Sequence, residues 1–389
     1  MKLFERAISI PYKVFTALKI VLLEHVPLFF LFMLYLIYGF YIEYRLENFQ
    51  IIKLGFDIAK IMPNLLLFNF VFFIIAHYMI RVLEGNIQGI YAKWYDIIAT
   101  YFCFNRLAGF IIIYYLVQIE LSLFDSLKMS ISYLVPFCYD TIFTKWDYIL
   151  HLNNHPWTLL SPLLTNTITV RIIDLLYISW FFVINVFIFW LALSNRRKLR
   201  MQFFMTLLLI FFLIGNLLAT VLSSAGPCYY ENIVGFTENN PYKPLMEKLH
   251  SIEDDNIPVD KPYDKFDNSP LIALELEDKL WDNYINKIRS FGHYISAMPS
   301  VHVAFAALLA LTVSSVNIYL GIIFWVYWAV IQIGSVILGW HYAIDGYFST
   351  ILTIGLWKIS AFLNNWFCKK LPKEVQSQIL GQNVSILSN

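Results

Sequence analysis

Residues 292–302 read GHYISAMPSVH, and residues 339–345 read GWHYAID. In the second stretch His341 and Asp345 stand at spacing i, i+4. On a helix that spacing lays the carboxylate over the imidazole, where a hydrogen bond can hold the ring. A histidine oriented by a carboxylate, with His302 as a second histidine nearby, has the parts for nucleophilic attack and proton transfer. Pro299 suits the first turn of a helix, where its missing N–H costs nothing. Ser300 and the free N–H groups at that helix start can hold phosphate oxygens, helped by the dipole. Gly339 and Gly346 bracket the second stretch and allow close backbone approach. Asp345 can also be read as a helix cap, although its register with His341 favours the pairing.

The elements that must position these residues are set by composition. Hydrophobic residues make up 59% of the 389-residue chain and charged residues 14%, against about a quarter charged in soluble domains. Apolar runs of the roughly 20 residues that a bilayer demands recur along the chain. The expected fold is all-α: a polytopic integral membrane protein with about eight transmembrane helices, over 26–42, 64–82, 107–124, 170–194, 201–223, 302–317, 318–338 and 343–367. Residues 8–24 carry Lys13 and Lys19 and no small-residue cleavage pattern, so they read as an interfacial helix ahead of the first span. A net charge of +1 gives no reason to expect nucleic acid. The four cysteines are scattered without metal-ligand spacing, and no disulfide is expected.

Three regions follow. Residues 1–100 hold the interfacial helix and two additional spans, 101–370 form the membrane core, and 371–389 are a tail. Within the core, Pro136, Pro156 and Pro162 break segment 125–169, which reads as short helices at the outer surface with Trp146 and Trp157 at headgroup depth. Segment 225–299 carries about twice as many acidic as basic residues. Its first half reads as an irregular loop. Its second half places Leu274, Trp281, Tyr284, Ile285 and Ile288 near one helical face, either a lid over the site or a surface helix. Basic clusters at the N-terminus, at Arg196–Arg200 and after the last span fall on one side with eight spans. The positive-inside rule makes that side cytoplasmic, with both termini, and places 225–299 outside.

This topology brings the two histidines together. The chain re-enters at MPSVH, crosses, turns near Asn317 and returns to GWHYAID, so one helical hairpin separates His302 from His341. Ionisable groups at membrane depth are costly and usually face the bundle interior, where they act. His25, His77, His151, His155, His250 and His293 read as interfacial residues, although His293 lies close to the first motif.

At SAMPSVH followed by GWHYAID the chain resembles the type-2 phosphatidic acid phosphatase superfamily of membrane lipid phosphatases and phosphotransferases. Pro299-Ser300-Val301-His302 matches the family's PSxH motif, and His341-Tyr342-Ala343-Ile344-Asp345 the end of its second motif, HxxxD. The forms SxMPSxH and GWHYxxD look most like the inositol phosphorylceramide synthase and inositolphosphotransferase branch. The resemblance implies a six-helix catalytic core and a two-step phosphoryl-type transfer without cofactor or metal. His341 would attack phosphorus to give a phosphohistidine, oriented by Asp345. His302 would protonate the leaving alkoxide and then serve as base on the acceptor hydroxyl. Ser300, with Ser296 at the head of the same motif, would contact the phosphate oxygens. The partners implied are membrane lipids, as donor of a phospho-headgroup and as hydroxyl acceptor, at a site on the extracytoplasmic face.

The chain departs from the broader family in two places. It has no Arg-Pro pair, and Ser335 stands where an arginine is expected six residues before the nucleophilic histidine. Arg171 is the sequence's candidate for the missing cation, with a structural salt bridge to Asp174 as its other reading. In AGPCYY (225–230), Gly226 permits close approach and Tyr229 can donate a hydrogen bond, so this loop is a candidate phosphate contact. Three functions remain open: headgroup phosphotransfer, hydrolysis to inorganic phosphate, and a non-catalytic transporter or assembly subunit. Transporters favour broken mid-membrane helices and inverted repeats, which the sequence lacks.

Overall fold

The computed structural model describes residues 2–47, 50, 52–53, 57, 71–72, 74–79, 104–235, 240–253, 271–288, 292, 294–373 and 375–376. All regular structure among them is helical. In chain order the main helices are α1 (Lys2–Arg45), α2 (Phe104–Leu134), α3 (Asp140–Leu150), α4 (Thr167–Leu193), α5 (Arg197–Val221), α6 (Lys243–Glu253), α7 (Ile272–Ile285), α8 (Val301–Ser314), α9 (Ile318–Ile337) and α10 (Ala343–Lys370). Six of these, α1 from Thr16, α2 from Arg106, α4, α5, α9 and α10, are long and apolar enough to cross a bilayer. The chain is a polytopic membrane protein. Of the span expected at 64–82, residues 71–72 and 74–79 are described and helical; its other residues and most of the 371–389 tail lie outside the described residues.

Two boundaries differ from the sequence reading. α1 is one unbroken helix from Lys2, with no joint between the expected interfacial segment and the span. α2 continues ten residues beyond 124, to Leu134 just short of Pro136. Residues 125–134 are therefore part of a span and not an outer segment. Pro136, the first of the three prolines that break the segment, stops the helix only after Leu134, and Asp125 and Lys128 within it are buried. The rest of 125–169 does form short helices: α3, Pro156–Leu159 and a 3-10 turn at Ser161–Thr165.

The core is a bundle in which α8 packs on α9 and α10, α10 on α5, and α1 on α2 and α5. Trp190, Phe203, Phe204 and Leu308 fill its interior. Large apolar side chains such as Phe30, Ile37, Ile322 and Ile323 point outward from α1 and α9. Such faces would be a liability in water but suit lipid. α5 widens into a π-helical stretch, Ile210–Leu218, where Gly215 lies against the Phe124 ring. There Asn216 donates to the Phe124 carbonyl at 3.2 Å and accepts from the Tyr35 hydroxyl, which ties α1 and α2 to α5.

α7 is the amphipathic helix expected from the sequence, but only the Leu274 end of the expected face is inward. Ala273, Leu274 and Glu277 are buried, whereas Ile285 and Ile288 are 58% and 50% exposed. Its rotation is fixed at its start, where the Asp174 carboxylate accepts from Ile272 N (2.7 Å) and Ala273 N (3.1 Å). Trp281 then stacks on Tyr229, with ring centroids 5.5 Å apart.

Candidate active site

The helical hairpin does what its length requires. α8 and α9 are antiparallel neighbours joined through Ser315–Asn317, and Asn317 caps α9 by accepting from Tyr319 N and Leu320 N. Beyond Leu338 the chain doubles back through Gly339, at φ 78°, a conformation that favours glycine. The His341 N–H then returns to the Ser335 carbonyl at 3.0 Å. This fold-back sets His341 beside His302: their ring centroids are 5.8 Å apart, at an interplanar angle of 64°. One tetrahedral phosphate can touch both rings at that separation.

Each ring is held by its own partner. His341 Nδ1 lies 3.2 Å from Asp345 Oδ2, the i, i+4 contact that the sequence spacing predicts. With the carboxylate taking the Nδ1 proton, the lone pair is on Nε2. Burial pushes the His341 imidazole down to about 3, the Lys128 charge adding to the effect and the Ala297 carbonyl opposing it. The ring is thus neutral, as a nucleophile must be. His302 Nδ1 meets the Tyr177 hydroxyl at 3.2 Å, and its ring sits edge-on to Trp180 at 4.8 Å. Tyr177 and Trp180 both come from α4, which walls the site.

Ser300 is the N-cap of α8, its Oγ accepting from Val303 N at 3.4 Å. Pro299 therefore precedes the cap and is not in the first turn. Ser300 N also meets the Asp345 carbonyl at 3.4 Å, a direct link between the two motifs. The Ser296 hydroxyl, four residues earlier, is buried with no hydrogen-bond partner among the described residues. Arg171 is buried on α4, toward the N-terminal end of the helix from Tyr177. Asp174 spends its carboxylate on the start of α7.

The AGPCYY loop is committed elsewhere. Gly226 N donates to Asp140 Oδ1 at 2.9 Å, and the Tyr229 hydroxyl donates to the Glu277 carbonyl at 2.9 Å. Neither donor is offered to a phosphate, because each already satisfies a buried acceptor. Gly226 instead allows packing: a Cβ there would lie 2.6 Å from the Trp340 carbonyl oxygen. Ser335 is structural too, its hydroxyl donating to the Gln332 carbonyl at 2.8 Å.

Sequence reasoning missed Lys128. It is 4% exposed, and its Nζ lies 5.6 Å over the Tyr294 ring. Its charge acts on His302, His341 and Asp345 alike. A small cavity of about 20 Å³ beside it is also lined by Asn283 of α7 and by Tyr294. The signal was present as ionisable residues, Glu120, Asp125 and Lys128, inside a long helical run, a placement that points to function.

A family model described as the PAP2 superfamily matches residues 141–359. The match spans more than half of the chain and contains both histidine motifs, so the protein belongs to the PAP2 superfamily, as the motif resemblance implied. It is a phosphatase- or phosphotransferase-type membrane enzyme that acts on lipids. No curated protein and no solved structure matches the chain.

Proposed function

We propose that this protein is a lipid phosphotransferase that moves a phospho-alcohol headgroup, phosphoinositol-like, from a lipid donor to a hydroxyl acceptor. The observation that carries the reading is the pair of rings 5.8 Å apart, with His341 held by Asp345. His341 Nε2 attacks phosphorus; the N–P bond forms as the bond to the lipid alkoxide breaks, and His302 supplies the proton that alkoxide needs. In the second step His302 takes the proton of the acceptor hydroxyl, whose oxygen displaces His341. Lys128 offsets the charge that builds on the phosphoryl oxygens, and the N-terminal end of α8 assists through its dipole.

Transfer is favoured over hydrolysis of a monoester by the charge of the site. Lys128 is the cation whose charge reaches both rings, and Ser335 replaces an arginine. A phosphodiester, with one negative charge fewer than a monoester, suits that provision. Basic Arg196 and Lys198 are exposed at the opposite end of α5 from the site, which supports an extracytoplasmic active site by the positive-inside rule.

The test is turnover by the purified protein in nanodiscs on four labelled lipids: phosphatidylinositol, phosphatidylglycerol, phosphatidylethanolamine and phosphatidic acid. A diester donor should lose its headgroup to an added lipid alcohol, and His341→Ala should abolish this while the protein still folds. Turnover of phosphatidic acid alone, with release of inorganic phosphate, would establish the phosphatase instead. Full turnover by His341→Ala would remove the nucleophile.

A further inference from the structure

The start of α10 has a capping problem. Its N-cap residue is Tyr342, which lacks the short oxygen-bearing side chain that usually serves the first turn. The acid at the third position, Asp345, is already committed. Its Oδ2 takes both the Tyr342 N–H (3.1 Å) and His341 Nδ1 (3.2 Å). The N–H groups of Ala343 and Ile344 would then be buried orphans.

A different helix serves them. Asp147 of α3 accepts from Ala343 N at 2.7 Å through Oδ2 and from Ile344 N at 2.9 Å through Oδ1. Two turns earlier on the same face of α3, Asp140 Oδ1 accepts from the Tyr342 hydroxyl at 2.8 Å. The Asp140 carboxylate also takes Ala225 N at 3.0 Å and Gly226 N at 2.9 Å. Both acids are 1% exposed. The loop they grip extends the hold to the first motif: Ser224 accepts from Ala297 N at 2.9 Å and, through Oγ, from Met298 N at 3.0 Å.

We propose that Asp147 and Asp140 make α3 a clamp that positions His341, with Asp147 taking the Ala343 and Ile344 N–H groups so that Asp345 has only the Tyr342 N–H to share with the nucleophile. Both are positioning residues, since their carboxylates are spent on backbone and on Tyr342. The inference rests on His341 being the nucleophile. The division of labour is physical. Asp345 Oδ2 already shares itself between the Tyr342 N–H and His341 Nδ1, and two further donors would weaken its hold on the imidazole. If Asp147 is lost, the two unmet N–H groups compete for Asp345, and the imidazole loses its fixed orientation. Misplacement by about 1 Å is enough to cost roughly a hundredfold in rate.

The experiment compares Asp147→Asn, Asp147→Ala and Tyr342→Phe with the wild-type full-length protein in nanodiscs, on the lipid that wild type turns over fastest. His341→Ala is measured in parallel. Asp147→Asn keeps the shape and one acceptor oxygen, so kcat should fall about tenfold, and Asp147→Ala should fall about a hundredfold. KM should stay within about twofold, because binding groups are untouched. Tyr342→Phe removes only the bond to Asp140 and should lower kcat a few-fold with the melting temperature nearly unchanged. The inference is overturned if folded Asp147→Ala retains wild-type kcat, or if the loss lies wholly in KM. If both Asp147 variants fail to fold, Tyr342→Phe decides: unchanged kcat rejects the clamp. An active His341→Ala variant, by contrast, would refute the nucleophile whatever the Asp147 variants did.

Discussion

The two ends of α5 bury charge in opposite ways. Near its start, Arg200 is paired with Glu24 of α1, donates to the Ser194 carbonyl at 3.3 Å, and has Arg197 3.9 Å from the same carboxylate. Near its far end lie the two motifs, and there Lys128 has no carboxylate in ion-pair contact among the described residues. Asp345 Oδ1 likewise has no hydrogen-bond partner among them. Charge matched by charge fixes helices in place. Charge left incompletely matched is held ready for a ligand that brings the complement. The first arrangement is architecture, and the second is what the proposed site requires.

That contrast can be broken by mutation. Glu24→Ala leaves Arg200 buried without its partner and should cost about 3–5 kcal/mol of stability. The kcat per folded molecule should be unchanged; thermal unfolding alongside turnover in the same nanodiscs reads both. If instead turnover falls and stability does not, the two ends have been assigned the wrong way round. Lys128→Ala should do the reverse, lowering kcat by about a hundredfold with no loss of stability, because a buried charge is removed and not orphaned. Lys128→Arg should recover part of the rate. The smallest effect is expected of Tyr177→Phe, which frees His302 Nδ1. Loss of one neutral hydrogen bond, about 1 kcal/mol, should slow turnover roughly five-fold, measured as kcat at saturating lipid.

The sequence made the histidine pair readable because its logic is short-ranged. One helical hairpin needs only helix geometry and holds in the fold; the i, i+4 contact also forms, although His341 precedes the N-cap of α10 and meets Asp345 across the helix start instead of along a helix. Lys128 was hidden because Pro136, Pro156 and Pro162 made 125–169 read as an outer segment, when the helix carries Asp125 and Lys128 buried on to Leu134. Asp140 and Asp147 show i, i+7 spacing, but their partners lie about 200 residues away, and nothing local names them. The face of α7 was misjudged because apolar periodicity marks several faces of a helix with Trp281, Tyr284 and Ile285 in it. The Asp174 cap selected among them, and a cap from another helix leaves no local trace.

α8 has 14 residues, a rise of about 21 Å against a hydrocarbon layer of roughly 30 Å. If its Ser314 end sits at one boundary, the His302 end lies beneath the other, inside the leaflet. Lipid substrates then need not be lifted out toward water to react; their glycerol region dips, and their tails stay solvated by neighbours throughout. Surrounding acyl-chain length becomes a control on the rate, since a thicker leaflet makes every headgroup travel farther down to reach the imidazoles.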